Sequence, residues 1–361
     1  MGHQMNLEFA TVEAVAPPRK ALELSASARL EDTPVQVSLQ AAPLAELLRR
    51  PEGPWQDLAL EIRGGDTHLQ ASGRVDRPFE ARGFDIGYAL KGAKIETLLP
   101  MFKLVLSLEG AYSLTGHFAD LPDRNVFDQL KISTNQSDIS GDISVYQGDT
   151  RPRLVANLHS EQIYLRDLLP VGEPVVAPRT DRRVIPDYNL PVERMREIDG
   201  EFNFSGERLR TAAGDLGEIR FRATLQDGVF RMIEPFRAGG WAGALIESDA
   251  TIDASQDPPR IAWQWVARQL NYGALLKQAR FARTVEGTLD ITLRLSGNGR
   301  TRHEFLGDAD GLLVIVGQKG RFGSRWLDLW GSDLATIAPR LCTFRATSRL
   351  NPKATFRETR P

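Results

Sequence analysis

Gly287–Gly297 reads GTLDITLRLSG, and its two-residue period decides what kind of fold the chain has. Leu289, Ile291, Leu293 and Leu295 fall on one phase, and Asp290, Thr292, Arg294 and Ser296 on the other, with a glycine at each end. Successive side chains of a strand point to opposite faces, so this segment is a strand with one apolar and one wet face. A helix would place its apolar residues three and four apart instead.

The same alternation recurs on both sides of that segment. ALELSASARL (21–30) puts Leu22, Leu24, Ala26, Ala28 and Leu30 on one phase, and VQVSLQ, DLALEIRGG, GFDIGYALKG, KLVLSLEGAYSLTG and EIRFRATLQDGVFRM follow it. Hairpin signals stand between such runs, notably Asp227-Gly228 and Gly64-Gly65-Asp66. One-faced alternation predicts a mainly β, largely antiparallel sheet, because the strands of a doubly wound parallel sheet are apolar on both phases. Helices are expected to be few and short. The candidates carry leucine pairs at strand ends: Leu47-Leu48, Leu98-Leu99, Leu168-Leu169 and Leu275-Leu276.

Two of these devices repeat. Setting Arg153 against Arg260 aligns Leu154, Ala156 and Leu158 with Ile261, Trp263 and Trp265, Gln162 with Gln269, and the two leucine pairs, without a gap. A Pro- and charge-rich stretch, Pro170 to Met195, separates the copies and reads as a linker or long surface loop. The expected organisation is an N-terminal β module at 1–170, a linker at 171–195, a second β module at 196–338 and an atypical basic tail at 339–361.

Composition excludes several classes. The 361 residues are 42% hydrophobic and 25% charged, as in ordinary folded chains, and the net charge of −2 supplies no basic surface for nucleic acid. One cysteine, Cys342, builds neither a disulfide framework nor a multi-cysteine zinc site. No run approaches the ~20 apolar residues of a membrane span, and MGHQMNLEFATVEAV lacks the basic and apolar regions of a signal peptide. As written, the chain is expected to lack both anchor and export signal.

A search for chemistry returns no catalytic, metal or cofactor site. The five histidines show no metal-ligand spacing, and His159 falls on the polar phase of its strand. GGWAG (239–243) and SGNGR (296–300) fail the nucleotide-loop spacings, are not expected to lead from a strand into a helix, and read as turns. Asp138 and Asp142 read as a solvated face. The apolar phase is the more informative feature: Ile261, Trp263 and Trp265 share one face of a strand, either as core or as a groove lining.

At this point the pattern resembles the AsmA family of bacterial envelope proteins. The resemblance is carried by LEGAYSLTGHFADLP with STNQSDISGDISVYQGDTRPRLVANLHSEQIYLRDLLP, by FRAGGWAGALIESDATIDASQDPPRIAWQWVARQLNYGALL, and by EGTLDITLRLSGNG with FLGDADGLLVIVGQKGRFGSRWLDLWGSDL. These motifs stand in the family's order and, together with the strands before them, cover most of the chain from about Leu22 to Leu334. The chain is similar to a C-terminal portion of such a protein. After LWGSDLATIAP the basic segment RLCTFRATSRLNPKATFRETRP departs from the family pattern, as a truncated or frame-shifted tail would.

The resemblance implies an elongated, curved sheet that forms an apolar groove with short capping helices, as in the TamB-like members. It implies a body on the periplasmic face of the inner membrane, no enzymatic activity and no cofactor. The expected function is envelope biogenesis by binding or conducting phospholipid between membranes. The expected partners are a phospholipid or other membrane lipid, the envelope membranes and other envelope proteins. Lipid-contact candidates are Leu289, Ile291, Leu293, Leu295, Ile261, Trp263 and Trp265, assigned from alternation. The alternative is a structural or regulatory scaffold with a closed core that binds envelope proteins and no lipid.

Overall fold

The structure, a computed structural model, describes residues 7–30, 33–49, 52–95, 110–148, 150–164, 167, 190–211, 214–274, 286–317 and 343–346. The chain divides into two compact units, Met1–Val171 and Gly172–Pro361. Both are mainly β and antiparallel, as the alternation predicts.

In the first unit the strands are β1 (Leu7–Val15), β2 (Ala21–Leu30), β3 (Thr33–Pro43), β4 (Trp55–Gly64) and β5 (Thr67–Arg77), then β6 (Arg82–Gly92), β7 (Tyr112–Asp120), β8 (Arg124–Thr134), β9 (Asp138–Tyr146) and β10 (Arg153–Ser160). Each pairs antiparallel with the next in sequence. A two-residue β11 (Ile163–Tyr164) follows. The register keeps apolar phases opposite one another: Leu24 faces Leu39, Leu39 faces Leu60, Leu60 faces Ala71, and Ala71 faces Tyr88. Farther on, Ile86 faces Phe118, Phe118 faces Phe127, Phe127 faces Ile143, and Ile143 faces Ala156. Helix α1 (Leu44–Arg49) is the expected Leu47-Leu48 segment. It buries Leu47 against Ala41, Ala42, Leu22, Trp55 and Leu58, while Leu48 stays exposed.

The second unit begins with helix α2 (Val192–Glu197) and β12 (Asp199–Gly206), followed by a small hairpin of β13 (Leu209–Thr211) and β14 (Gly214–Leu216). Its main sheet continues through β15 (Ile219–Gln226), β16 (Val229–Gly239), β17 (Leu245–Asp253), β18 (Arg260–Asn271), β19 (Thr288–Asn298), β20 (Asp310–Gly317) and β21 (Thr343–Ala346), with helix α3 (Arg302–Asp308) between β19 and β20. β12 pairs with β15, and from β15 onward each strand pairs with the next. The β15–β16 turn is the predicted Asp227-Gly228, with both residues at positive φ (53° and 76°), the two-residue turn whose twist suits a hairpin.

Leu98, Leu99, Leu168, Leu169, Leu275 and Leu276 lie outside the described residues, as do most of the linker and the tail. The aligned glutamines of the repeat are described, and they share a detail. The N–H of Gln162, just past β10, donates to Asp138 Oδ1 at 2.8 Å, and the N–H of Gln269, at a bulge in β18, donates to Asp290 Oδ1 at 2.7 Å. In each copy the ladder breaks at the glutamine, and an aspartate of the adjoining strand satisfies the freed donor. Asp138 also accepts from the N–H of Glu161, so it is tied to backbone rather than simply solvated.

SGNGR differs from its sequence reading, because it leads directly from β19 into α3. Thr301 caps that helix by accepting from the N–H of Glu304 (3.1 Å), and the Glu304 carboxylate reaches back to the N–H of Arg300 (2.8 Å). Those donors are already taken, and the helix has only seven residues.

Gly141 lies mid-strand in β9 with φ of 141°, between Leu130 and Leu158 on the apolar phase. A Cβ there would collide with the carbonyl oxygen of Asn157. Gly141→Ala is therefore expected to lower stability by about 1–3 kcal/mol, read as an earlier midpoint in a denaturant titration. An unchanged midpoint would mean that the strand adjusts without strain.

Candidate functional site

Strands β18 and β19 bring all seven apolar candidates onto one face. Trp263 stands opposite Leu295, Trp265 opposite Leu293, Ala267 opposite Ile291 and Ile261 opposite Gly297. A register shift after Ala267 then sets Leu270 opposite Leu289, which keeps the apolar phase in step to the strand end. Directly opposed residues project to the same side of a sheet, so a continuous apolar surface follows.

That surface extends to both sides. On β17, Ile252, Ala250, Ser248 and Ile246 face Ile261, Trp263, Trp265 and Ala267; on β20, Leu313 and Ile315 face Leu293 and Ile291. Beyond β17 come Phe230 and Ala238, then Leu225, Ala223 and Phe221, then Phe202 and Phe204. Phe204 and Phe221 stack with ring centroids 5.6 Å apart. The one polar group on this stretch of β17, Ser248, accepts from the indole N–H of Trp263 at 2.9 Å, which satisfies that ring's donor.

Burial is graded along the face. Ile261 and Leu295 are 8% and 6% exposed and pack with Phe305 of α3, Ala309, Leu190 and Ile252. Helix α2 covers the neighbouring part, where Val192 and Met195 pack on Leu225, Ala254, Phe202 and Phe230. Two short helices thus seal one end of the apolar face. Away from them Trp265, Leu289, Ile291 and Leu293 are only half-buried, and Leu313 is exposed. Any apolar occupant would meet these residues first, with Trp263 at the boundary. Neither helix was expected: α2 lies at the end of the stretch read as a linker, and α3 follows a segment read as a turn. The T-x-x-E spacing at Thr301 and Glu304 was the available signal for α3.

On β15 to β18 the opposite phase carries charge pairs, whereas on β20 it is Leu312, Val314 and Val316. Glu247 lies between Arg237 (3.3 Å) and Arg268 (3.5 Å), and Arg222 pairs with Glu234 (3.2 Å) and Asn203. The contrast between the two faces is therefore strong within single strands.

The first unit repeats the contrast and adds a network that alternation alone does not reveal. On its wet face Arg74 of β5 donates to Asp85 of β6 (3.0 Å). His117 of β7 contacts Asp85 through Nε2 (2.6 Å) and Asp128 of β8 through Nδ1 (3.0 Å). Four strands are joined by one line of charge-assisted bonds. Nothing in the sequence places these residues together without the register. Among the described residues no group of three His, Cys, Asp or Glu side chains is arranged to hold a metal ion, and no helix is long and apolar enough to cross a membrane.

Residues 1–339 match the model of the AsmA family. The chain belongs to the AsmA family. It is 21% identical over 313 residues to the AsmA family protein YhjG of Escherichia coli strain K12, a match covering 80% of this chain and 45% of that protein. The chain thus spans less than half the length of that relative. No solved structure matches it. For this AsmA-family chain the resemblance drawn from ordered Gly-bounded strands is correct.

The His117 network has a pH consequence. The hydrogen bond to Asp85, with Asp128 on the other side, raises the His117 pKa above the usual histidine range, and the same bond, with that from Arg74, lowers the Asp85 pKa. The stabilisation from protonated His117 is fully present below about pH 6.5 and is lost as pH rises through the raised folded pKa. That from Asp85 is present above about pH 3.9 and is lost as pH falls through its lowered pKa. By NMR, His117 is expected to titrate above an exposed histidine, and Asp85→Asn to bring it down. Identical His117 titrations in the two proteins would exclude the pairing in solution.

Proposed function

We propose that this chain is part of a non-enzymatic envelope-biogenesis protein whose apolar sheet faces hold the acyl chains of phospholipid and let them pass between membranes. The observation that carries the reading is the half-exposed apolar face of β17 to β20, closed by α2 and α3 at one end and lined by Trp265, Leu289, Ile291 and Leu293 beyond them. Water-exposed apolar surface of this extent is costly at about 25 cal/mol per Å², and contiguous patches of this kind mark a site for an apolar occupant. Acyl chains suit it because the surface is apolar apart from the Ser248 hydroxyl, which is already bonded, and the indole N–H of Trp265. AsmA-family membership supports the envelope setting, where such lipids are at hand. Ile261 and Leu295 serve this reading as the sealed floor beneath α3 rather than as contacts.

Native mass spectrometry of the chain purified from a bacterial host tests it. Phospholipid is expected to co-purify. Ile291→Asp and Leu293→Asp each place a carboxylate where hydrocarbon would lie, at a cost of about 2.5–3.5 kcal/mol, so bound lipid should fall by at least about tenfold while the strand signature in circular dichroism persists. A folded wild-type chain free of lipid, or lipid unaffected by both substitutions, would remove the proposal. In that case cross-linking to envelope proteins becomes the informative experiment.

A further inference from the structure

The wet face of the first unit is hollow, and the hollow has a composition of its own. A depression of about 670 Å³ lies across β3 to β8. Its floor is made of small side chains on the polar phase: Ser38, Ala59, Ser72, Gly87 and Ala89. Longer amides stand over it, Gln40 on β3, Gln70 on β5 and Gln129 on β8, with Thr115 and Lys131. A second depression of about 470 Å³ shares Ser38 and Glu61 with the first and reaches Thr11 and Glu13 of β1. A third, of about 490 Å³, shares Ala59 and Ser72 and reaches Arg74 and Asp85. Together they form one shallow polar trough running across the strands.

Gln129 is there because of a local distortion. The β7–β8 and β8–β9 registers both shift next to it, and its φ of 51° lies in the left-handed region that few non-glycine residues adopt. The bulge returns Leu130 and Ile132 to the apolar phase and leaves Asp128 and Gln129 both on the wet side. Bulges of this kind commonly re-aim a side chain toward a site. Here the added side chain is a third amide over the trough.

The chemistry of the lining narrows the ligand. Leu60, Tyr88, Val37 and Leu58 also border the depressions, but they belong to the apolar phase of their strands; the polar phase contributes no large apolar side chain, so the trough does not suit acyl chains. Its charges are largely matched within the protein: Glu61 contacts Arg63 and His68 (both 2.6 Å), and Asp85 contacts Arg74 and His117. Among the charged groups lining the three depressions Lys131, Glu13 and Asp57 remain, one cation against two carboxylates, so a polyanion finds no basic track. What the trough offers is a row of amides and hydroxyls that both donate and accept. An elongated, uncharged molecule rich in hydroxyl and amide groups fits such a row. The strands repeat at about 4.8 Å, close to the step of a β-linked sugar chain, so successive sugars would meet equivalent groups on successive strands. A glutamine amide, with two N–H donors and a carbonyl, and an acetamido group, with one N–H and a carbonyl, can each donate to and accept from the other.

We propose that the wet face of the first unit binds a linear, uncharged oligosaccharide bearing acetamido groups, laid across β3 to β8 with Gln40, Gln70 and Gln129 as its hydrogen-bonding contacts. This site is independent of lipid on the opposite face.

The test is calorimetric titration of the full chain with the β-1,4-linked hexamer of N-acetylglucosamine, with maltohexaose as a hexasaccharide that lacks acetamido groups. Saturable binding of the first is expected, in the range of about 1 mM, with maltohexaose at least about tenfold weaker, which corresponds to about 1.4 kcal/mol. The double variant Gln40→Ala/Gln70→Ala should weaken the hexamer by a similar factor, and Ser72→Tyr, which fills the floor, should abolish binding. Ile291→Asp, on the apolar face of the other unit, should leave it unchanged. Absence of hexamer binding, equal binding of maltohexaose, or binding indifferent to Ser72→Tyr in a folded protein would each overturn the proposal.

Discussion

Trp265 stands opposite Leu293, and Leu293 stands opposite Leu313. This sideways matching of phase is the constraint from which the rest follows. Alternation sorts side chains within one strand, but only the hydrogen-bonded register carries that sorting to its neighbours. A slip of one residue between β18 and β19 would set Arg294 and either Thr292 or Ser296 opposite the indoles and break the apolar face in two.

The irregular positions preserve that matching. The shift after Ala267 and the left-handed Gln129 each absorb one extra residue, β16 absorbs two, and the apolar phase is matched again beyond each. Where a bulge frees a backbone donor, a side chain from the adjoining strand accepts it, as Asp290 does for Gln269. The opposite face gains its charge pairs from the same matching, including the line through Asp85, His117 and Asp128.

Strands were legible because alternation is a local signal that needs no partner. GTLDITLRLSG, ALELSASARL and the Asp227-Gly228 turn could be read directly, and family resemblance followed from their order. The helices that close one end of the apolar face were not legible. Phe305 and Met195 belong to helices of seven and six residues, too short to show a period, so only the capping pair Thr301 and Glu304 marked one of them. The graded burial of the seven candidates was also hidden, since Ile261 and Trp265 occupy the same phase and differ only in what covers them. The His117 line depends on which strands adjoin, and the hollow on the wet face depends on four strands, β3 to β6, presenting small residues at the same level. Both are properties of register, which alternation leaves open.

Within the first unit every strand from β1 to β10 pairs with the one made just before it or just after it. Such a sheet grows by contacts between neighbours in sequence, with no connection longer than the nineteen residues between β6 and β7, a topology that favours fast folding. It can assemble in the direction of synthesis, each new strand docking on an edge that is already in place. The same economy acts over generations: duplicating or deleting one hairpin leaves every other pairing intact, so the length of the sheet is a quantity that mutation can change in steps of two strands.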